Sequence, residues 1–150
     1  MKDYMKYAIK EAYKSLKIDE VPIGAVIVIN DVIIAKGHNQ REHSQNAIKH
    51  AEIIAIEKAC KKLKSWRLDD AGIYVTLEPC PMCAGAIANA RIKKVVYACK
   101  EKTSQDNLCN LILSSKRLNH NPQVIIDEKH SDECSKLLSD FFKNKRNKNI

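Results

Sequence analysis

Nowhere in its 150 residues does the chain carry an apolar run near the ~20 residues that a membrane-spanning helix needs. A membrane-embedded protein is therefore not expected. The first stretch, with Lys2, Asp3, Lys6, Lys10 and Glu11, lacks the apolar centre of a secretory signal. No internal repeat, linker or low-complexity block interrupts the sequence, apart from a lysine- and asparagine-rich end. One domain over residues 1–150 is expected, large enough for a sizeable core. The chain has six cysteines, which without a secretory signal point to reduced thiols and metal rather than to a disulfide framework. The expected compartment is the cytoplasm. Acids are also short, 18 against 26 lysines and arginines, for a net charge of +8. That balance favours a polyanionic partner such as nucleic acid, although a lysine-rich solvated surface gives the same count.

What remains is patterned for an α/β fold. Met5, Ala8, Ile9, Ala12, Tyr13 and Leu16 recur at helical spacing, which predicts a core-packing helix over residues 3–17. Two apolar runs, 25–29 and 32–35, flank Asn30-Asp31 and predict an antiparallel hairpin. Both runs are continuous rather than alternating, so cover on both faces is expected. A polar loop follows over 40–49, then a largely apolar helix over 51–63. Strands at 73–77, 93–98 and 124–126 alternate with helices at 84–90 and 107–115, which predicts parallel pairing in this half. A last helix is expected from Ser131 as N-cap, with Cys134, Leu137, Leu138, Phe141 and Phe142 as one apolar stripe. Trp66 is expected to plug the core edge, and His120 to sit on an exposed loop.

The chemistry concentrates in two short segments, His50-Ala51-Glu52 and Pro79-Cys80-Pro81-Met82-Cys83. One imidazole and two thiols suit Zn²⁺ with a fourth position left open to water. A C-x-x-C turn brings two sulfurs together best at a helix start, where free N–H groups favour thiolate. The strand before and the helix after put these thiols at the carboxyl end of a strand, where open α/β sheets place their ligands. At a helix start, residues i and i+2 diverge by roughly 200°. His50 can then hold metal while Glu52 reaches the substrate side. Taken alone, the C-x-x-C also fits a redox pair or half of a structural zinc site. A structural site would need a further ligand from Cys60, Cys99, Cys109, Cys134, His38, His43, His120 or His130. None of these stands in a second C-x-x-C pair. Asn39 offers both a donor and an acceptor to a base, or serves as a turn former. Phe141-Phe142 with Lys143, Lys145, Arg146 and Lys148 suits single-stranded nucleic acid, by stacking and phosphate contact, or a solvated helix end.

H-x-E followed by P-C-x-x-C is the signature of the zinc nucleobase deaminases. Around it stand Val21-Pro22-Ile23-Gly24-Ala25-Val26, Gly37-His38-Asn39, Ser65-Trp66-Arg67-Leu68, Tyr74-Val75-Thr76-Leu77-Glu78, Asn119-His120 and Leu137-Leu138-Ser139-Asp140-Phe141-Phe142. In that order they resemble the bacterial tRNA-specific adenosine deaminases, of the cytidine deaminase-like superfamily, over nearly the whole chain. The resemblance implies a three-layer α/β/α sandwich with a five-stranded mixed sheet. It also implies one Zn²⁺ per subunit, no organic cofactor, a homodimer, and hydrolysis of adenosine to inosine at the wobble position of a tRNA anticodon. By matching positions, His50, Cys80 and Cys83 would hold zinc and Glu52 would shuttle protons. Asn39 would read the flipped base, and Pro22, Ile23 and Ala51 would line its pocket. Asn119, Phe142 and Arg146 would touch the anticodon stem-loop. A free-base or nucleotide deaminase of guanine or cytosine type on the same fold is one competing expectation, and a non-catalytic RNA-binding zinc protein is the other. Two segments depart from the family pattern, both expected beside the nucleic acid. Ala47-Ile48-Lys49 stands where Pro-Thr-Ala is common, and residues 98–105 lack the usual glycines.

Overall fold

Asn30 and Asp31 both adopt positive φ, 50° and 62°. That backbone makes a two-residue turn of the kind that matches strand twist, and Asn and Asp tolerate it best after glycine. The turn joins β1 (Gly24–Ile29) to β2 (Val32–His38) as the expected antiparallel hairpin. The computed structural model describes residues 2–101 and 108–148. β1 also pairs antiparallel with β3 (Gly72–Leu77), while β3 pairs parallel with β4 (Lys94–Cys99) and β4 with β5 (Gln123–Ile126). The sheet is mixed and five-stranded, in the order β2-β1-β3-β4-β5.

The apolar runs are unbroken because each face of the sheet has its own core. Ala25, Ile27, Ile73, Val75, Val95 and Tyr97 pack on one side with α3 (Ala51–Leu63), α4 (Pro81–Asn89) and α5 (Leu108–Leu113). Val26, Val28, Val96 and Ala98 pack on the other with α1 (Met5–Lys17) and α6 (Ser131–Lys148). This is the expected three-layer α/β/α arrangement. Gly37 sets the distance between β2 and α3. A Cβ there would lie 2.3 Å from the Ala51 carbonyl, so only glycine lets the two backbones meet. That close approach brings Asn39 beside the start of α3. Among the described residues, no helix is long and apolar enough to cross a membrane.

Several expectations fail for identifiable reasons. On α1, Tyr13 and Leu16 are exposed, whereas Glu11 and Ser15 are buried in the sheet-facing stripe. Both polar groups have partners. Glu11 meets Lys14 at 2.6 Å and His38 at 3.5 Å, and Ser15 Oγ donates to the Asn39 carbonyl at 2.8 Å. Trp66 is 60% exposed and does not plug the core; the buried Leu68 does. The Trp66 ring instead carries the guanidinium groups of Arg67 and Arg91, at 5.3 and 5.7 Å. A short helix, α2 (Arg41–Ser44), interrupts the 40–49 loop. Ser131 is not an N-cap, because α6 continues from a 3₁₀ turn over Glu128–His130 that Asp127 caps. His120 is half-buried, with Nε2 2.6 Å from the Ile92 carbonyl oxygen. The start of the expected 107–115 helix at Asn107 lies outside the described residues.

Candidate active site

Two helix starts meet at the carboxyl end of β3. The strand ends at Leu77, and Glu78-Pro79 carry the chain to Cys80, which stands at the N-cap of α4. Pro81 follows at the first helical position, where its missing N–H costs nothing and its fixed φ suits the helix. Cys83 comes one turn in and is fully buried. His50 is the N-cap of α3.

His50 Nδ1 lies 3.6 Å from Cys80 Sγ and 3.6 Å from Cys83 Sγ. A nitrogen and a sulfur bound tetrahedrally to one zinc at ~2.1 and ~2.3 Å would stand about 3.6 Å apart. The donors therefore fit a metal ion without rearrangement. Among the described residues, no other His, Cys, Asp or Glu joins the group. The other cysteines and histidines supply no fourth ligand, so a closed structural site is not built here.

The same three side chains set each other's protonation. The hydrogen bond with Cys83 holds the Cys80 thiol down to about 4, with His50 helping and burial opposing. That bond and burial push the Cys83 thiol far up. His50 is raised, first by its bond to Cys80. Glu52 is buried, and that burial pushes its carboxyl up to about 7; the Cys80 charge adds to the rise, while its own backbone N–H, His50 and Cys83 oppose it. A carboxyl poised near neutrality both accepts and returns a proton at working pH.

A cavity of about 600 Å³ is lined by His50, Glu52 and Cys80. Of the residues expected to bind substrate, Asn39, Ile23, Ala51, Phe142 and Arg146 line it as well. Pro22 is buried but is not part of the wall, and Asn119 is exposed elsewhere. Asn39 is held from several sides. Its N–H donates to the Ile23 carbonyl at 3.1 Å, its carbonyl accepts from Ser15, and Nδ2 donates to the Val21 carbonyl at 3.4 Å. Its Oδ1 is buried and has no hydrogen-bond partner within the protein. A buried acceptor left open in a cavity wall is costly unless a ligand fills it.

Sequence reasoning missed Arg41, Glu78, Lys100, Ser135 and Ser139, all in the cavity wall. The signal for α6 was present. Ser135, Leu138, Ser139, Phe142 and Arg146 recur at one-turn spacing, a mixed polar face beside the apolar stripe. That stripe divides. Cys134 and Phe141 are buried, Leu137 and Leu138 half-buried, and Phe142 is 48% exposed at the cavity. The unusual Ala47-Ile48-Lys49 does not enter the wall. Ile48 is half exposed to solvent, and Lys49 Nζ is paired with Glu57 at 3.1 Å. From the glycine-poor segment, Cys99, Lys100 and Glu101 line the cavity; residues 102–105 lie outside the described residues.

This geometry agrees with the relatives of the chain. The profile of the MafB19-like deaminases matches residues 1–146. The tRNA-specific adenosine deaminase of Bacillus subtilis (strain 168) is 50% identical over 147 residues, 97% of this chain and 90% of that protein. The chain belongs to the tRNA-specific adenosine deaminase family. A solved structure from work on A-to-I editing by tRNA:A34 deaminases at the wobble position of transfer RNA superposes on it with a TM-score of 0.83 at 36% identity. That match spans 90% of this chain and 98% of the other. A guanine deaminase from Bacillus subtilis is 43% identical with a TM-score of 0.63, over 67% of this chain and 66% of that one. A deaminase is a hydrolytic enzyme, so membership of this family overturns the reading as a non-catalytic RNA-binding zinc protein.

Proposed function

We propose that this family member, acting as one domain in the cytoplasm, hydrolyses adenosine to inosine at the wobble position of a tRNA anticodon. One observation carries the reading. A single cavity is lined both by His50 and Cys80 of the metal-fitting group, with Glu52, and by Phe142 and Arg146 of the basic last helix. His50 Nδ1, Cys80 Sγ and Cys83 Sγ would hold one Zn²⁺ per subunit. Bound there, zinc would lower the pKa of a coordinated water from ~15.7 towards ~7. Glu52 would take a proton from a water held beside it and deliver it to N1 of the base as the C6–O bond forms. It would then move the proton of the new C6 hydroxyl to the amino group, so that the C6–N bond breaks, ammonia leaves and the inosine carbonyl forms. Asn39 Oδ1 and Nδ2 read the base edge, with Ile23 and Ala51 against its faces and Pro22 behind the wall. Phe142 stacks on a neighbouring base and Arg146 meets phosphate. Asn119, outside the cavity, is left for RNA beyond the flipped nucleotide. The homodimer is supported by exposed Leu63, Trp66 and Leu111, which lie by α3 and α5 on one side of the sheet.

The test is conversion of an arginine tRNA carrying wobble adenosine, read as guanosine after reverse transcription. Conversion confined to that position is expected. Ammonia released from free guanine or cytosine, with tRNA untouched, would establish the free-base reading, which the guanine deaminase similarity keeps in view. Asn39→Ala should lower kcat/KM on the anticodon stem-loop roughly 10- to 100-fold, the cost of one or two lost hydrogen bonds, with zinc content unchanged. An unaltered rate would remove Asn39 from base recognition.

A further inference from the structure

The net positive charge is not spread evenly. Three ammonium groups converge on the Tyr7 ring: Lys6, Lys10 and Lys36 lie 5.5, 5.0 and 5.7 Å from its centroid. Beside them, Lys58 Nζ donates to the Lys36 carbonyl at 3.2 Å, and Lys62 lines the same depression as Lys36 and Lys58. The two depressions that hold this cluster share Ile33 and Lys36, so they form one surface over α1, β2 and α3. Acids border it, but each is already engaged. Asp3 faces His130 at 3.0 Å, Asp31 accepts from Tyr4 at 3.1 Å, and Glu11 holds Lys14 at 2.6 Å. None of the five lysines enters an ion pair among the described residues. Edge protection accounts for part of this. β2 is an outer strand, and lysines on such a strand discourage pairing with another chain. It explains Lys36 but leaves Lys6 and Lys10 on α1 and Lys58 and Lys62 on α3.

The surface lies close to the cavity. Ser15, whose hydroxyl holds the Asn39 carbonyl, is on α1 with Lys10 and Lys6. At 1.5 Å per residue those lysines stand about 7.5 and 13.5 Å along the axis from Ser15. Lys36 is three residues before Asn39 on extended chain, about 10 Å away. An RNA with one base against Asn39 brings the phosphates of its stem within that range. α6, with Phe142 and Arg146, packs on the same side of the sheet as α1, and Lys145 pairs with Asp19 just beyond the end of α1.

We propose that Lys6, Lys10, Lys36, Lys58 and Lys62 form a second RNA contact surface, which holds the phosphate backbone of the tRNA beyond its anticodon loop. It reads charge and not sequence. This rests on the tRNA reading above. The test compares wild type with the triple variant Lys6→Glu, Lys10→Glu, Lys36→Glu and its Lys→Gln counterpart, which separates lost attraction from added repulsion. Binding is measured against whole tRNA and against the isolated anticodon loop strand, without its stem, from 50 to 300 mM salt. Whole-tRNA affinity should fall 10-fold or more at low salt for the Glu variant and less for the Gln variant. The log–log salt slope should shrink by about 2 to 3, at ~0.7–0.9 per lost phosphate contact. Affinity for the loop strand, and kcat on saturating tRNA, should hold. Unchanged whole-tRNA binding overturns the proposal. Equal loss on both substrates also overturns it, since the lysines would then serve the cavity. Lysine-dependent binding to anionic vesicles, with tRNA binding intact, would assign the surface to a membrane instead. Because binding is read apart from conversion, a wild type that binds tRNA without deaminating it sinks the enzymatic reading alone.

Discussion

Glu52→Ala is expected to keep its fold and its zinc and to lose turnover on tRNA by at least 10³–10⁴-fold, on the scale of losing an acid–base group that acts twice. Of the two other carboxylates in the cavity wall, Glu101 is exposed, which leaves Glu78 as the rival. Its carboxyl is also raised by burial, but it accepts backbone N–H groups of Cys109 and Glu101, which commits it to holding chain. Glu52 has the metal group as its neighbour and lies two residues from His50 on the same helix start. Full activity in a zinc-loaded Glu52→Ala protein would sink the assignment, and loss in Glu78→Gln with Glu52→Ala active would transfer the role. A stability measurement gives an independent check. In the metal-free protein the Glu52 carboxyl sits at about 7 against an ordinary 4.5, because burial disfavours its charge. The folded state therefore holds more protons than the unfolded one between those values, and stability falls as pH rises through that window. Glu52→Gln removes the dependence. Its melting temperature should draw ahead of wild type between pH 4.5 and 7 and keep a constant lead above, worth up to about 3 kcal/mol. A lead that is the same at pH 4 and pH 8 would show that burial does not hold that proton.

The metal group was legible because its chemistry is local. His50, Glu52, Cys80 and Cys83 each stand at a helix start, and spacing alone brings them within reach once the strand before them is placed. The sheet was legible for a similar reason, since apolar runs and turn residues report strands directly. What escaped depends on partners far away in sequence. Glu11 and Ser15 look like surface residues on a helical wheel until His38 and the Asn39 carbonyl arrive from β2 to satisfy them. Trp66 looks like a core residue until Leu68 takes the interior and two arginines cover the ring. Ile48 and Lys49 look like an intrusion on the substrate, yet Glu57 on the following helix draws the lysine away from the cavity. In each case the local pattern misled, and contacts outside it decided the outcome.

Cys83→Ala should bring zinc from one per chain to near zero and take activity with it, a loss of 10³-fold or more, since two remaining donors hold a divalent ion poorly at neutral pH. Metal analysis after gel filtration reads the first effect and the tRNA assay the second. A variant that keeps stoichiometric zinc would remove Cys83 from the ligand set. The protonation pattern makes a sharper demand on the intact set. Before metal arrives, Cys80 is already a thiolate, held down to about 4, whereas Cys83 keeps its proton. Zinc binds thiolate, so Cys83 must release that proton on binding. Measured in the Glu52→Gln background, which leaves the buried carboxyl out, calorimetry in buffers of different ionisation enthalpy should give about two protons released near pH 8.5, one from Cys83 and one from the water that zinc acidifies. His50 is shifted upward by its bond to Cys80, so its proton joins the count as the pH falls through the imidazole range, while the water keeps its own. Release of about three at pH 8.5 would mean that Cys80 is not ionised beforehand. Release of about one would mean that Cys83 never becomes a ligand, and the tetrahedral spacing around His50 would then need another explanation.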